Sequence, residues 1–382
     1  MRRYWIDNLR WVTVVLVLIY HVFYFFNNKG VFGGIGGFSP DPMDQPQDVV
    51  MYILYPWFMM LLFLVAGICS RYTLEVHTPK EFIRSRTLKL LVPSTIGLFV
   101  FHWMTGYFNT AVAREMLTSS LPAIARYLLY SVSGIGPLWF IQDLWLFSLL
   151  LVLVRKMDSK DRFWSWCGKS DYLVILLLGI LVYLGSQAMI KEPRSGSADG
   201  LFNLYKPLAY FIPFLLGYFV FSHDGVQERV ERMRVPLLAA ALISGAALVV
   251  TGFGKDNTSA QFLGSWLNVL YAWLMILANM GCFKAWCDAT GRFSSYMSRS
   301  SFGIYVVHYL VVASLGYMMK TYTALPPWSM YVILLTAVLL LSPAVYEILR
   351  RIPVVRWCVF GIKKKHEQEG CSMRASQSAR QI

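Results

Sequence analysis

Residues 50–70 read VMYILYPWFMMLLFLVAGICS, a run of 21 residues without a charged side chain. A helix of about 20 apolar residues spans a hydrocarbon core roughly 30 Å thick. Hydrocarbon cannot hydrogen-bond exposed backbone groups, so a spanning segment must be a helix or a strand of a closed barrel. Barrel strands are only about 9–11 residues long and alternate in polarity, unlike this run. The stretch therefore predicts a transmembrane helix.

Comparable apolar runs precede and follow this segment along most of the chain. Of the 382 residues, 57% are hydrophobic and 15% are charged, which is too little charge for the surface of a soluble domain of this length. We therefore expect an all-α integral membrane protein with about ten transmembrane helices. Residues 121–130 are expected to form an interfacial helix. The predicted spans are 11–27, 50–70, 88–108, 137–155, 172–190, 207–222, 235–252, 265–283, 301–319 and 329–349.

The positive charge is distributed unequally between the two sides of these predicted helices. The side that holds both termini carries 27 of the 35 Lys and Arg residues, and the other side carries eight. Because short basic loops stay in the cytoplasm, both termini are expected to be cytoplasmic. This bias also explains the net charge of +14 without a nucleic-acid partner.

The chain is expected to form one polytopic membrane domain over residues 1–350 and a basic, disordered cytoplasmic tail over residues 351–382. No polar segment is long enough to bury a separate soluble core. All six cysteines fall on or near the basic side, where thiols stay reduced, so no disulfide framework is expected. No pair of cysteines has the spacing of zinc ligands, and no metal site is predicted.

Ionisable residues inside the apolar runs are the first candidates for chemistry, because burying them in a membrane is costly. His21 lies in the first run, and Arg10 precedes it by eleven residues. At about 100° per residue both side chains share one helix face, roughly 16 Å apart along the axis. Asp7 can pair with Arg10 three residues later. A structural histidine and an arginine that only sets topology would also satisfy this spacing.

Two further ionisable residues lie inside predicted spans. Asp143, in LWFIQDLWLFSLL, could orient a histidine or tie two helices together through an internal hydrogen bond. His308, in SFGIYVVHYLVV, could be a second catalytic base or a structural partner for another helix. His77, His102 and His223 lie in loops or at helix ends and are given no role.

The densest basic cluster early in the chain lies on the predicted cytoplasmic side. Arginine side chains donate paired hydrogen bonds that suit phosphate groups. Topology and contact with lipid headgroups would also account for such a cluster. Its members are Arg71, Arg84, Arg86 and Lys89.

The opening RRYWIDNLRWVTVVLVLIYH resembles that of membrane acyltransferase family 3, which includes sugar O-acetyltransferases and glucan succinyltransferases. The shared feature is an Arg, ten residues and then a His, matched here by Arg10 and His21. Three later segments, FLVAGICSRY with FIRSRTLKLLVP, GPLWFIQDLWLFSLLL and SSFGIYVVHYLVV, resemble the family in the same order. The resemblance runs to about residue 350. Helix two ends in AGICS where a Ser-Gly pair is commoner, and Lys89 stands where an Arg is more usual.

This resemblance implies transfer of an acyl group, acetyl or succinyl, from cytoplasmic acyl-CoA to a hydroxyl of a carbohydrate or other envelope acceptor across the inner membrane. His21 would be the general base or would carry the acyl group as a transient acyl-histidine. The catalytic residues expected from these observations are His21, Asp143 and His308. The residues expected to bind the CoA phosphates are Arg10, Arg86, Lys89, Arg84 and Arg71.

Two other functional classes share some of these features. Intramembrane His, Asp and Arg also suit a proton-coupled transporter of a glycan precursor or small solute, but the sequence has no self-similar halves of the kind common in transporters. A nonenzymatic scaffold would leave His21 dispensable. The expected partners are membrane lipid and the acceptor, and the oligomeric state does not follow from the sequence.

Overall fold

The computed structural model describes residues 3–27, 34–39, 41–109, 121–190 and 207–362. Within these residues all regular secondary structure is helical, so the predicted all-α class is confirmed. In chain order the helices are α1 (Tyr4–Phe25), α2 (Val49–Val76), α3 (Pro79–Asn109), α4 (Ala123–Ser133), α5 (Trp139–Met157), α6 (Arg162–Cys167), α7 (Tyr172–Met189), α8 (Pro207–Phe219), α9 (Asp224–Arg232), α10 (Arg234–Gly252), α11 (Ala260–Leu263), α12 (Trp266–Trp286), α13 (Arg292–Tyr322), α14 (Pro327–Leu349) and α15 (Pro353–Phe360).

Eight of these helices are long and apolar enough to cross a membrane: α1, α2, α3, α5, α10, α12, α13 and α14. They correspond to eight of the ten predicted spans. The predicted spans 172–190 and 207–222 coincide instead with two shorter apolar helices, Tyr172–Ala188 and Ala209–Phe219. The structure therefore supports a multi-span membrane protein, and the full count of ten stays a prediction.

Close helix packing in the core depends on small residues. A Cβ atom at Gly67 of α2 would lie 2.0 Å from the carbonyl oxygen of Phe214 in α8. Reciprocally, a Cβ atom at Gly217 of α8 would lie 2.0 Å from the carbonyl oxygen of Leu64 in α2. Only glycine lets the two backbones approach this closely, which is the usual device for helix association in lipid.

Helix α1 lies at the centre of the bundle, packed against α2, α12, α13 and α14. Helix α3 begins with a capping box, in which Thr78 accepts a hydrogen bond from the backbone N–H of Glu81 and the Glu81 carboxylate accepts from that of Thr78. Side chains of α5 then anchor α3: Gln142 donates to the carbonyl oxygen of Ser94 at 2.8 Å. These contacts fix α1, α3, α5 and α13 around one interior.

Two segments that the sequence placed outside the spans are helical. Helix α4 covers most of the predicted interfacial helix and exposes Ile124, Leu128 and Val132, four residues apart, on one face. Helix α15 falls within the stretch predicted to be a disordered tail, and its Cys358, Val359 and Phe360 are buried. Ordered structure therefore continues past residue 350, because this short amphipathic helix packs against α3. Residues 363–382 lie outside the described residues.

Candidate active site

The packing of α1 against α13 brings two intramembrane histidines together. Nδ1 of His21 lies 3.2 Å from Nε2 of His308, and the two ring centroids are 4.9 Å apart. His308 is completely buried, whereas His21 is only partly buried. His308 therefore contacts the predicted catalytic residue on another helix, and the catalytic role of each histidine stays a prediction.

Backbone carbonyl groups determine which nitrogen of each histidine carries the hydrogen. Nδ1 of His21 lies 2.8 Å from the carbonyl oxygen of Val17, and Nδ1 of His308 lies 2.5 Å from that of Tyr305. A carbonyl oxygen can only accept, so each Nδ1 is the donor. His21 therefore shares its Nδ1–H between Val17 and Nε2 of His308. Its own Nε2 keeps a lone pair, and no described residue forms a hydrogen bond with that nitrogen.

Aromatic rings surround the His21 imidazole. The centroids of Tyr309, Tyr20 and Tyr24 lie 5.1, 5.3 and 6.0 Å from it. Tyr55 stacks on Tyr20 at 5.5 Å with nearly parallel planes. These rings exclude water from the imidazole, and electrostatic interactions are stronger where water is excluded.

The structure places Asp143 near Tyr305 rather than on His21. Its side chain is buried, and its Oδ2 atom has no hydrogen-bond partner among the described residues. Asp143 interacts electrostatically with Tyr305, whose hydroxyl donates to the carbonyl oxygen of Pro137. The described residue that contacts the His21 ring nitrogen from another helix is His308, and the predicted catalytic role of Asp143 stays untested.

Three of the predicted phosphate-binding residues meet at one end of the bundle, which we call the basic end. Arg10 pairs with Asp7 at 3.2 Å, as the sequence predicted, and donates to the carbonyl oxygen of Ser298 at 3.2 Å. Arg86 and Lys89 of α3 lie close enough to Arg10 for mutual electrostatic repulsion. Since α1 is continuous, this cluster is roughly 16 Å from His21 along the helix axis.

The other two predicted phosphate-binding residues lie apart from that cluster. Arg71 is buried, contacts both carboxylate oxygens of Asp161 at 2.7 and 3.2 Å, and pairs with Glu75 at 3.0 Å. Its guanidinium stacks on Trp164, 3.9 Å from the ring centroid. These hydrogen bonds hold the pKa of Asp161 below its usual value. Arg71 thus serves helix packing, while Arg84 is exposed.

One further histidine near the pair was given no role from the sequence. His102 of α3 is 2% exposed, and its Nε2 atom has no hydrogen-bond partner among the described residues. It interacts electrostatically with His308. Its position inside the predicted span 88–108 was the available signal, because a histidine within a span is costly.

A family model described as an acyltransferase domain, acyltransferase family 3, matches residues 3–347, from α1 almost to the end of α14. The chain belongs to this family. No curated protein and no solved structure matches it. The predicted family membership is confirmed, and the paired histidines lie within the matched residues of this membrane acyltransferase.

Proposed function

We propose that this acyltransferase moves an acyl group, acetyl or succinyl, from cytoplasmic acyl-CoA to a hydroxyl of a carbohydrate or other envelope acceptor on the opposite face of the inner membrane. The observation that carries the proposal is the free lone pair on Nε2 of His21. The carbonyl oxygen of Val17 and the Nε2 atom of His308 set the tautomer of His21 that leaves this lone pair free.

The chemistry follows from that tautomer. Nε2 of His21 takes the proton of the acceptor hydroxyl, and the acceptor oxygen attacks the thioester carbon. The C–S bond then breaks, and the departing CoA thiolate takes the proton from His21. While His21 is protonated, its Nδ1–H already donates to Val17 and His308, and charge-assisted hydrogen bonds of this kind stabilise an imidazolium. Direct attack of the same lone pair on the thioester carbon would instead break the C–S bond, release the CoA thiolate and leave an acyl-histidine. Attack by the acceptor oxygen would then break the C–N bond and free His21, with the hydroxyl proton passing to the thiolate.

The donor phosphates are assigned to the basic end. Arg10, Arg86 and Lys89 face one another with Asp7 as the carboxylate paired to the cluster. A polyanion such as CoA would relieve the repulsion among these cations and form charge-assisted hydrogen bonds. The pantetheine arm would then cover the roughly 16 Å to His21.

The direction of transfer is inferred from charge. The side of the predicted spans that holds both termini carries 27 of the 35 Lys and Arg residues, and such loops are retained in the cytoplasm. Acyl-CoA would therefore arrive at the basic end, and His21 would lie nearer the acceptor.

A sided assay tests this function. The full chain is placed in proteoliposomes with labelled acetyl-CoA or succinyl-CoA outside and a sugar acceptor in the lumen. We expect release of free CoA outside and label on the lumenal sugar when the basic end faces outward. A protein that moves the sugar across the bilayer without consuming acyl-CoA is a transporter and contradicts the proposal.

A further inference from the structure

A buried polar stripe runs along α3 in the half that lies far from the basic end. It consists of His102, Thr105 and Asn109, at positions i, i+3 and i+7, which share one face of a helix. These side chains are 2%, 1% and 8% exposed. The atoms His102 Nε2, Thr105 Oγ1 and Asn109 Oδ1 are buried and have no hydrogen-bond partner among the described residues.

Three unsatisfied polar atoms in a row are unusual, because nearly all buried polar groups in proteins are hydrogen-bonded. A helical threonine commonly donates to the carbonyl oxygen four residues earlier. Thr95, ten residues before Thr105 in the same helix, does so, donating to Leu91 at 2.6 Å. Just before Thr105, α3 widens into a π-helical turn over Leu98–His102, a feature frequent at functional sites.

The stripe faces protein rather than lipid. Helix α4 closes over it: the amide of Asn109 donates to the carbonyl oxygen of Ser133 at 3.1 Å. A Cβ atom at Gly134 would lie 2.0 Å from the carbonyl oxygen of His102, so the two helices touch. His102 also interacts electrostatically with His308. The segment of α3 that carries the stripe also packs against α13, the helix of His308. The stripe therefore lies in the protein interior, with its His102 end toward the histidine pair.

We propose that this stripe binds the hydroxyl groups of a polyhydroxylated acceptor and places one of them near His21. The inference rests on the proposed function, since it assigns an acceptor subsite to the same active site. The oxygen of Asn109 accepts, and the hydroxyl of Thr105 both donates and accepts. That mixed set matches the donors and acceptors of sugar hydroxyls. A phosphate would instead require cations, which gather at the basic end.

The test compares two acceptor classes in proteoliposomes supplied with acetyl-CoA or succinyl-CoA. The polyhydroxylated probes are cellobiose, trehalose and glycerol, and the single-hydroxyl probe is 1-propanol. We expect Thr105→Val and Asn109→Leu each to raise the KM of the best polyhydroxylated probe at least fivefold, the factor for one hydrogen bond of about 1 kcal/mol. The KM for acyl-CoA and the rate with 1-propanol should not change.

Thr95→Val is the matched control, because it removes a hydroxyl of the same helix that is already satisfied, and we expect it to leave every KM unchanged. Thr105→Val should unfold at a temperature no lower than the wild type, since the lost hydroxyl had no protein partner. Unchanged KM values in both stripe variants would overturn the inference. So would a wild type that acylates only 1-propanol. A wild type that releases no CoA with any acceptor would instead contradict the proposed function.

Discussion

The bond between His308 and Nδ1 of His21 allows the positioning of the base to be tested separately from the base itself. His308 accepts that hydrogen bond with Nε2 and is completely buried. Replacement by Met keeps a side chain of similar volume but removes the acceptor. Replacement by Gln keeps a side-chain oxygen that can accept. The two variants therefore differ mainly in whether the side chain can accept the hydrogen bond from His21.

The expected magnitude follows from the charge on His21 during the reaction. A hydrogen bond to a charged group contributes about 1.5–3 kcal/mol, and each 1.36 kcal/mol of barrier changes a rate about tenfold. We expect His308→Met to lower kcat about 10- to 150-fold and His308→Gln to recover part of that loss. The KM for acyl-CoA should stay the same, because the basic end is roughly 16 Å away along α1.

The assay is steady-state CoA release by the purified full chain in proteoliposomes, with thermal unfolding measured alongside to show that each variant is folded. Equal kcat values for wild type and His308→Met would refute the positioning role. Equal losses in the Met and Gln variants would show that the acceptor atom is not what matters, and that His308 acts by packing alone.

Three further results are expected from other parts of the molecule. Arg10→Ala and Arg86→Ala should each raise the KM for acyl-CoA about 10- to 150-fold, because each removes one charge-assisted phosphate contact. Arg84 is exposed, and Arg84→Ala should change that KM little. An unchanged acyl-CoA affinity in the first two variants would remove the phosphate-binding role. Because hydrogen bonds from Arg71 lower the pKa of Asp161, stability from this pair is present above the unfolded Asp pKa of about 3.9 and is lost as pH falls through the lowered value. When the pH is lowered from 5 to 3, the unfolding temperature should therefore fall less in Asp161→Asn than in the wild type. An equal fall in both proteins would contradict this. Gly67→Ala should destabilise the fold by roughly 1–3 kcal/mol by forcing α2 from α8. Gly225→Ala is the control, because its Cβ would meet only a guanidinium nitrogen of Arg229 at 4.0 Å, and it should not lower the unfolding temperature.

Features that depend on one helix were predictable from the sequence. The apolar runs located eight spanning helices, because length and polarity decide whether a segment can cross hydrocarbon. The shared face of Arg10 and His21 and the pairing of Arg10 with Asp7 followed from helical geometry. Two predicted spans, 172–190 and 207–222, coincide with shorter apolar helices.

Features that depend on how helices pack were not predictable in the same way. The sequence offered Asp143 or His308 as partners of His21, and only the contact between α1 and α13 selects His308. Arg71 looked like a phosphate ligand until the turn after α5 brought Asp161 against it. Of the stripe on α3, only the intramembrane His102 carried a signal in the sequence, whereas Thr105 and Asn109 become candidates only once α4 and α13 pack against them.

The most direct test of the account is CoA release from acyl-CoA by the His21→Ala protein compared with the wild type and with His77→Ala. His77 is an exposed histidine at the basic end and serves as the matched control. General base catalysis contributes about 10²–10⁴-fold, so His21→Ala should lose acyl transfer by that factor or more, while thermal unfolding shows that both variants remain folded. A folded His21→Ala protein that releases CoA and acylates its acceptor at the wild-type rate would contradict the central claim.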